Sequence, residues 1–212
     1  MLRTSTGMLL VAAIVALSVS AVYATPAPWR GQESSTLATW CFGTNANPAC
    51  PDECVGQEPA PQATILNSST YKDTLNGCQG IWPLGGQIFV PLQYGDNSTG
   101  EHQIWVQLAW CEENAGATPL VEGWLGPTRV DPVRATLVCQ EDWPTDGADG
   151  TPNPWRLGTY SLSLTGPDIA TVHITHCIYV DNMTIETNPV PEPGVLLLTG
   201  LSGLLLLRRP RR

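Results

Sequence analysis

In the stretch QIWVQLAW, residues 103–110, large apolar residues occupy every second position, and this alternation decides the fold. Successive side chains on a β-strand point to opposite faces of the sheet, and the apolar residues of this stretch recur with a period of two. Trp110 shares one face with three aliphatic side chains, and Trp105 lies on the other face. The pattern predicts a strand with at least one buried face, and one of its two tryptophans is then either exposed or covered by a loop.

Similar short runs on either side of this stretch are separated by turns rich in Gly, Pro, Asp and Asn. The runs span residues 87–92, 135–140, 156–164, 169–175 and 177–186. Pro91 places its own strand at an edge or a bulge, because proline has no backbone N–H to donate. Regular short strands with such turns predict an all-β fold, an antiparallel β-sandwich over residues 81–189.

Composition and charge narrow the choice of protein class. The chain has 212 residues, with 20 Gly, 19 Pro and a single lysine, Lys72. These numbers argue against long charged helices and a coiled coil. Residues 25–189 carry five basic side chains against 18 acidic ones, a net charge of −13. A body so acidic would repel DNA, RNA and anionic lipid, so we expect no nucleic-acid partner.

The N-terminus has the pattern of a secretory signal peptide, residues 1–24. Arg3 supplies the positive charge, an apolar run follows, and small residues precede a cleavage point that we place after Ala24. The prediction is export after removal by signal peptidase. An uncleaved membrane anchor is the alternative.

The C-terminus, residues 190–212, has three parts in a fixed order. Pro191, Glu192 and Pro193 come first, then 14 uncharged residues from Gly194 to Leu207, then Arg208, Arg209, Arg211 and Arg212. The prolines hold the chain extended, where another protein's active site can reach it. As a helix, 14 residues span about 21 Å, short of the roughly 30 Å hydrocarbon core, so the segment would insert only marginally. The arginines would stay in the cytoplasm and leave the body outside.

This arrangement resembles the PEP-CTERM sorting signal of bacterial surface proteins, over about a tenth of the chain. The resemblance implies recognition by exosortase, an integral-membrane transpeptidase, and a precursor tethered transiently to the inner membrane. The body would then be released or attached at the cell surface or in the extracellular matrix. A tail anchor that is never processed is the alternative.

A second resemblance covers about 30 residues that end in Val180-Asp181-Asn182-Met183. They are similar to the closing strands of jelly-roll, carbohydrate-binding-like modules. What this resemblance implies is a fold more than an activity.

All seven cysteines fall in the part that would be exported, where an oxidising compartment favours disulfides. Four lie in the loop-rich section, residues 25–80, where we expect loops and a few strands fastened covalently, and three lie in the sandwich. If the first four cysteines pair with one another and two of the last three form a bridge, one cysteine remains as a free thiol. The disulfide candidates are Cys41, Cys50, Cys54, Cys78, Cys111, Cys139 and Cys177. A zinc site formed by the first four cysteines is the alternative, although their spacing contains no C-x-x-C pair of the kind found in zinc knuckles.

The sequence suggests two candidate ligand sites and decides neither. An exposed tryptophan on a sheet face stacks on sugar rings, so Trp105 or Trp110 is a candidate for contact with extracellular polysaccharide. Asp142, Asp146 and Asp149 crowd one Gly-rich loop and could bind Ca²⁺, with a solvated turn as the alternative.

The sequence predicts no catalytic machinery. His173 and His176 lie three apart on a predicted strand and would face opposite sides, so they should not chelate one ion. No nucleophile elbow, phosphate loop or zinc-protease helix occurs in the body. We therefore expect a structural or interaction protein and not an enzyme, with a glycan-binding module as the alternative. A secreted hydrolase would need two acidic side chains facing each other across a groove, and the sequence does not indicate which two acids these would be.

Overall fold

The structure is a computed structural model, and it describes residues 25–67, 70–93, 100–125, 131–143, 154–166 and 169–190. The predicted signal peptide and all of the sorting signal after Val190 lie outside these residues. The described part is all-β: thirteen strands and no helix. Within it, no helix is long and apolar enough to cross a membrane.

Strands β1 to β4 have three to five residues each, and the later strands are longer except for the two-residue β9. Their bounds are β1 Thr36–Trp40, β2 Glu53–Val55, β3 Thr64–Leu66, β4 Lys72–Leu75, β5 Cys78–Leu84, β6 Gln87–Gln93, β7 Glu101–Glu112, β8 Leu120–Leu125, β9 Val133–Arg134, β10 Thr136–Asp142, β11 Arg156–Thr165, β12 Ile169–Thr175 and β13 Ile178–Val190.

These strands form two antiparallel sheets. The eight-stranded sheet has the order β10-β11-β7-β13-β1-β2, and β5 pairs with the beginning of β13 and with β4. The five-stranded sheet has the order β3-β6-β12-β8-β9. Strands that follow one another in the chain often belong to different sheets, so the chain crosses repeatedly between the two layers. The strands before residue 85 join the same two sheets as the later ones.

One hydrophobic core lies between the sheets. The large sheet contributes Ile104, Val106, Leu108 and Trp110 from β7, all at most 2% exposed. The small sheet contributes Ile88, Val90 and Leu92 from β6 and Ala170, Val172 and Ile174 from β12, each at most 1% exposed. Two apolar faces that bury each other in this way form a β-sandwich.

The alternation in the sequence predicted the long strands well. Residues 103–110 lie inside β7, and each of the other five predicted runs coincides with one of β6, β10, β11, β12 and β13 within a few residues. Pro91 predicted an edge strand or a bulge, whereas β6 lies between β3 and β12 and pairs with β12 without a register shift. Strand β3 pairs only with residues 87–89 of β6, so no strand in the described part of the sheet needs an N–H from Pro91 on that side.

Candidate functional site

The structure corrects the prediction that Trp105 or Trp110 offers a face to a sugar ring. The two rings do lie on opposite faces of β7, as the alternation predicted. Trp110 is 2% exposed in the core, and Trp105 is 8% exposed on the outer face of the large sheet. Both are covered, so neither ring can stack on a ligand in this arrangement.

An N-terminal strap, residues 25–30, covers Trp105. The ring of Trp29 meets that of Trp105 edge to face, with 5.8 Å between centroids. The carbonyl of Thr25 accepts hydrogen bonds from Trp105 Nε1 at 3.2 Å and from Gln107 Nε2 at 2.5 Å. The strap thus satisfies polar groups on this face and also excludes water from it.

Glu186 fixes the other end of the strap. Its carboxylate accepts from Arg30 Nε at 2.9 Å and from the Ala27 backbone N–H at 3.3 Å. Glu186 is 1% exposed, and its hydrogen bond raises the pKa of the Arg30 guanidinium. A carboxylate this buried is stable only when it is paired, so the strap and the sheet depend on each other.

The outer face of the small sheet carries a different cluster, the aromatic patch: Gln87, Phe89, Glu122, Trp124 and His173. Phe89, His173 and Glu122 are cross-strand partners on β6, β12 and β8. Trp124 follows two residues after Glu122 and therefore lies on the same face. Three strands that are far apart in sequence thus bring two aromatic rings, an imidazole and a carboxylate together.

The aromatic patch is closely packed. The His173 ring stacks on Phe89 with centroids 4.3 Å apart and lies 4.1 Å from Trp124. His173 Nε2 hydrogen-bonds Gln87 Oε1 at 2.6 Å, and His173 Nδ1 lies 3.9 Å from Glu122 Oε2. His173 and Glu122 are 2% and 8% exposed, whereas Phe89 and Trp124 are half-buried.

The aromatic patch places two half-buried rings beside an amide and a carboxylate. The rings of Phe89 and Trp124 reach the surface, whereas the Gln87 amide oxygen bonds His173 and Glu122 is only 8% exposed. The described strands of this sheet carry one carboxylate, that of Glu122. Glycoside hydrolysis uses two carboxylates, and the described strands of this sheet supply one of them.

The candidate calcium loop is only partly described. Asp142 ends β10, its side chain is 80% exposed, and it accepts from Arg156 Nη1 at 2.9 Å. Asp146 and Asp149 lie outside the described residues, so the Ca²⁺ prediction stays a prediction. Within the described ranges, no group of three His, Cys, Asp or Glu side chains is placed to hold a metal ion.

The two histidines lie apart. His173 points to the outer face of the small sheet, and His176 is exposed in the turn between β12 and β13, where its φ is 108°.

An open pocket of about 390 Å³ lies near the start of β13. Its lining includes Cys41, Cys78, Trp143, Asp181 and Asn182. Trp143 Nε1 donates to Asp181 Oδ2 at 3.1 Å, and Asn182 Nδ2 donates to Cys41 Sγ at 3.4 Å. Burial raises the pKa of Asp181 to about 6, and the hydrogen bonds from Trp143 and Cys78 oppose that rise.

All seven cysteines carry thiols in the structure. Cys78 and Cys111 are buried, Cys54 and Cys139 are half-buried, and the other three are exposed. The predicted disulfides therefore stay a prediction.

No protein-family model matches the chain, and no curated protein is significantly similar to it.

Proposed function

We propose that this chain is an exported bacterial surface or extracellular-matrix protein whose C-terminal sorting signal is processed by exosortase. The observation that carries the proposal is the order of the last residues, Pro-Glu-Pro, a short apolar segment and an arginine cluster. The fold supports it, because β13 continues to Val190 and the signal begins directly after that strand. Cleavage after Val190 would remove no residue of a described strand.

Signal peptidase and exosortase are the processing partners in this proposal. The precursor passes through the inner membrane and is held there by the C-terminal segment. The mature body then remains at the cell surface or in the extracellular polymer.

A mass measurement of the mature C-terminus, made on protein from its native host, tests the proposal. The expected product ends near residue 193 and lacks the apolar segment. Glu192→Ala should block trimming, whereas Glu141→Ala, which changes an exposed acid on β10, should leave it intact. A mature protein that still carries Arg212 contradicts the proposal.

The body in this proposal is a jelly roll with a structural or interaction role and no catalysis. The strand orders support it. In the large sheet β1, β13, β7 and β11 are neighbours, and in the small sheet β6, β12, β8 and β9 are neighbours. Successive strands from β6 to β8 alternate between the sheets, and β11, β12 and β13 do so again, as in a double Greek key.

The aromatic patch favours a second function, glycan binding by the same body. Half-exposed Phe89 and Trp124 flank buried polar side chains on one flat sheet face. The negative charge of the body favours a neutral polysaccharide over a polyanionic one.

A glycan array, probed with and without a calcium chelator, tests this second function. Trp124→Ala should weaken binding at least about tenfold if a stacked sugar ring is lost. Leu137→Ala, at an exposed apolar residue of the other sheet, is the matched control. Absence of binding at high protein concentration contradicts this function, and a loss of binding with chelator would indicate Ca²⁺ at the loop of Asp142, Asp146 and Asp149.

A further inference from the structure

Cys78 and Cys111 differ from the other cysteines in their burial. Cys78 is 6% exposed at the start of β5, and Cys111 is 1% exposed near the end of β7. Both belong to one cluster of buried side chains, which also contains Ile81 and Trp155. The cluster lies on the outer face of the large sheet, separate from the core of the sandwich.

The hairpin of β4 and β5 brings Cys78 onto this face. Its two-residue turn has Asn76 at φ 49° and Gly77 at φ 84°, the left-handed pair of a tight hairpin. Lys72 at one end of the hairpin donates to the Tyr179 hydroxyl at 3.3 Å. At the turn, the Asn76 side chain lies near the Cys111 thiol and opposes the rise of its pKa. Because Cys78 follows Asn76 by two residues, the hairpin places both sulfurs in the same buried space.

Sheet register separates Cys139 from Cys111. Cys139 is the cross-strand partner of Thr159 on β11, and Thr159 is the cross-strand partner of Gln107 on β7. Cys111 lies four residues further along β7 and two strands away, which is about 16 Å between Cα atoms at ordinary strand spacings. A disulfide needs about 7 Å or less. Cys139 therefore cannot bridge to Cys111 without moving a strand.

Cys177 is closer to Cys111 but less well placed. Tyr179 is the cross-strand partner of Cys111, so Cys177 is a diagonal neighbour, about 7–8 Å away between Cα atoms. Its side chain is exposed, whereas that of Cys111 points into the buried cluster.

We propose that Cys78 and Cys111 form a disulfide that fastens the β4–β5 hairpin onto the outer face of the large sheet. The inference rests on the proposed export, since an oxidising compartment supplies the disulfide donor. It departs from the local pairing expected from the sequence, because it joins a cysteine of the loop-rich section to one of the sandwich.

The bond forms by thiol–disulfide exchange. Cys78, which also lines the open pocket, attacks a donor disulfide as its thiolate and displaces one donor thiolate. Cys111 loses its proton and attacks the Cys78 sulfur of this mixed disulfide, which releases the second donor thiolate. The two protons go to solvent or to the donor, and the donor gains both electrons. Burial raises the pKa of Cys111 to about 11, so little of it is thiolate near neutral pH and we expect this second attack to be the slower step.

Peptide mapping of the full chain tests the pairing. The reduced chain is refolded in detergent with glutathione and glutathione disulfide, and the remaining thiols are alkylated at low pH. Trypsin leaves both cysteines in one peptide, residues 73–129, so a second protease must cut after Glu101 to separate them. We expect one linked pair of peptides, carrying Cys78 and Cys111, that separates on reduction.

Two variants control the mapping. Cys139→Ser should leave the linked pair unchanged, and Cys78→Ser should abolish it and leave Cys111 alkylated. A bridge from Cys78 to Cys41, a bridge from Cys111 to Cys177, or alkylation of both cysteines in the refolded wild type overturns the proposal.

The same mapping on protein exported to a bacterial periplasm separates this proposal from the proposed function. A mature chain that begins at Thr25 with both cysteines alkylated overturns the disulfide and leaves export standing. A chain that keeps its leader contradicts export, and the refolding result then decides the pairing alone.

Discussion

Glu186 shows how one buried side chain fixes the position of a distant segment. It accepts hydrogen bonds from Arg30 and from the backbone of Ala27, more than 150 residues earlier in the chain. The Arg30 side chain is 44% exposed and that of Glu186 is 1% exposed, so the pair spans the boundary between solvent and interior. Loss of the arginine would leave a carboxylate buried with fewer partners.

We therefore expect Arg30→Ala to lower the free energy of unfolding by about 3 kcal/mol. Urea denaturation followed by tryptophan fluorescence measures the change. Asp142→Asn is the matched control, because it removes an exposed ion pair and should cost less than about 1 kcal/mol. Equal effects of the two substitutions would show that Glu186 does not depend on its arginine.

Asp181 should make stability depend on pH. Its folded-state pKa is raised to about 6 by burial, and an unfolded aspartate titrates near about 4. The folded chain thus holds this proton more tightly, so the contribution of Asp181 to stability is present below about pH 4 and is lost as pH rises through 6.

Asp181→Asn should remove this loss. With an allowance for solvent screening of a partly exposed group, we expect the drop in unfolding free energy from pH 4 to pH 7 to shrink by about 1 kcal/mol. Urea titrations at both pH values measure it, and Asp142→Asn should follow the wild-type profile. If the unfolding free energies of wild type and Asp181→Asn change with pH in the same way, Asp181 is not the group responsible for the pH dependence.

The elements differ in how far the sequence predicts them. Long strands such as β7 and β11 carry a row of apolar side chains at every second position on the core face, so the period of two is visible in the sequence. Strands β1 to β5 have three to seven residues each, among Pro, Asn and Gly, and most of their pairing is nonlocal. The sequence left Trp105 either exposed or covered by a loop and could not decide between the two, since the covering residues lie 76 or more positions earlier. The aromatic patch was missed because its members lie on three separate strands, and no local pattern joins them.

Strand β5 passes so close to the chain after β1 that only glycine fits at residue 80. Gly80 has φ 77°, and a Cβ there would lie 2.4 Å from the Phe42 carbonyl oxygen. We expect Gly80→Ala to cost at least about 3 kcal/mol, from the left-handed backbone together with the clash.

Gly116→Ala is the matched control for this contact. Gly116 has φ 82°, and a Cβ added there would meet nothing within 4 Å, so this variant tests the backbone cost alone, about 1 kcal/mol. Thermal unfolding of both variants measures the difference. If the two melt together, the close approach of β5 to Phe42 does not limit stability.

At the scale of the whole molecule, β13 is the strand on which the sandwich depends. It pairs with β7 along most of its length and with β1 and β5 on its other side. The sequence predicted this strand and a sandwich around it, but the order of its neighbours follows from contacts between distant segments. The proposed sorting motif begins at Pro191, the residue after β13, so we expect folding and processing to be separable.

A chain that ends at Val190 should therefore unfold within about 0.5 kcal/mol of the full chain, since it keeps every described strand. A chain that ends at Met183 should not fold, because it lacks Ile185 and Glu186. Circular dichroism and urea denaturation of both chains measure this. A Val190-terminated chain that is unfolded would show that the tail belongs to the folded unit.

The strap also has a consequence for maturation. Thr25 would be the first residue left after leader removal, and its carbonyl is the shared acceptor for Trp105 and Gln107. A protease that removed two further residues would take away Thr25. Trp105 and Gln107 would then lose their shared acceptor, and the cover over Trp105 would loosen. Accurate removal of the leader would then preserve both hydrogen bonds, while Trp29 would keep covering the Trp105 ring until trimming passed residue 29.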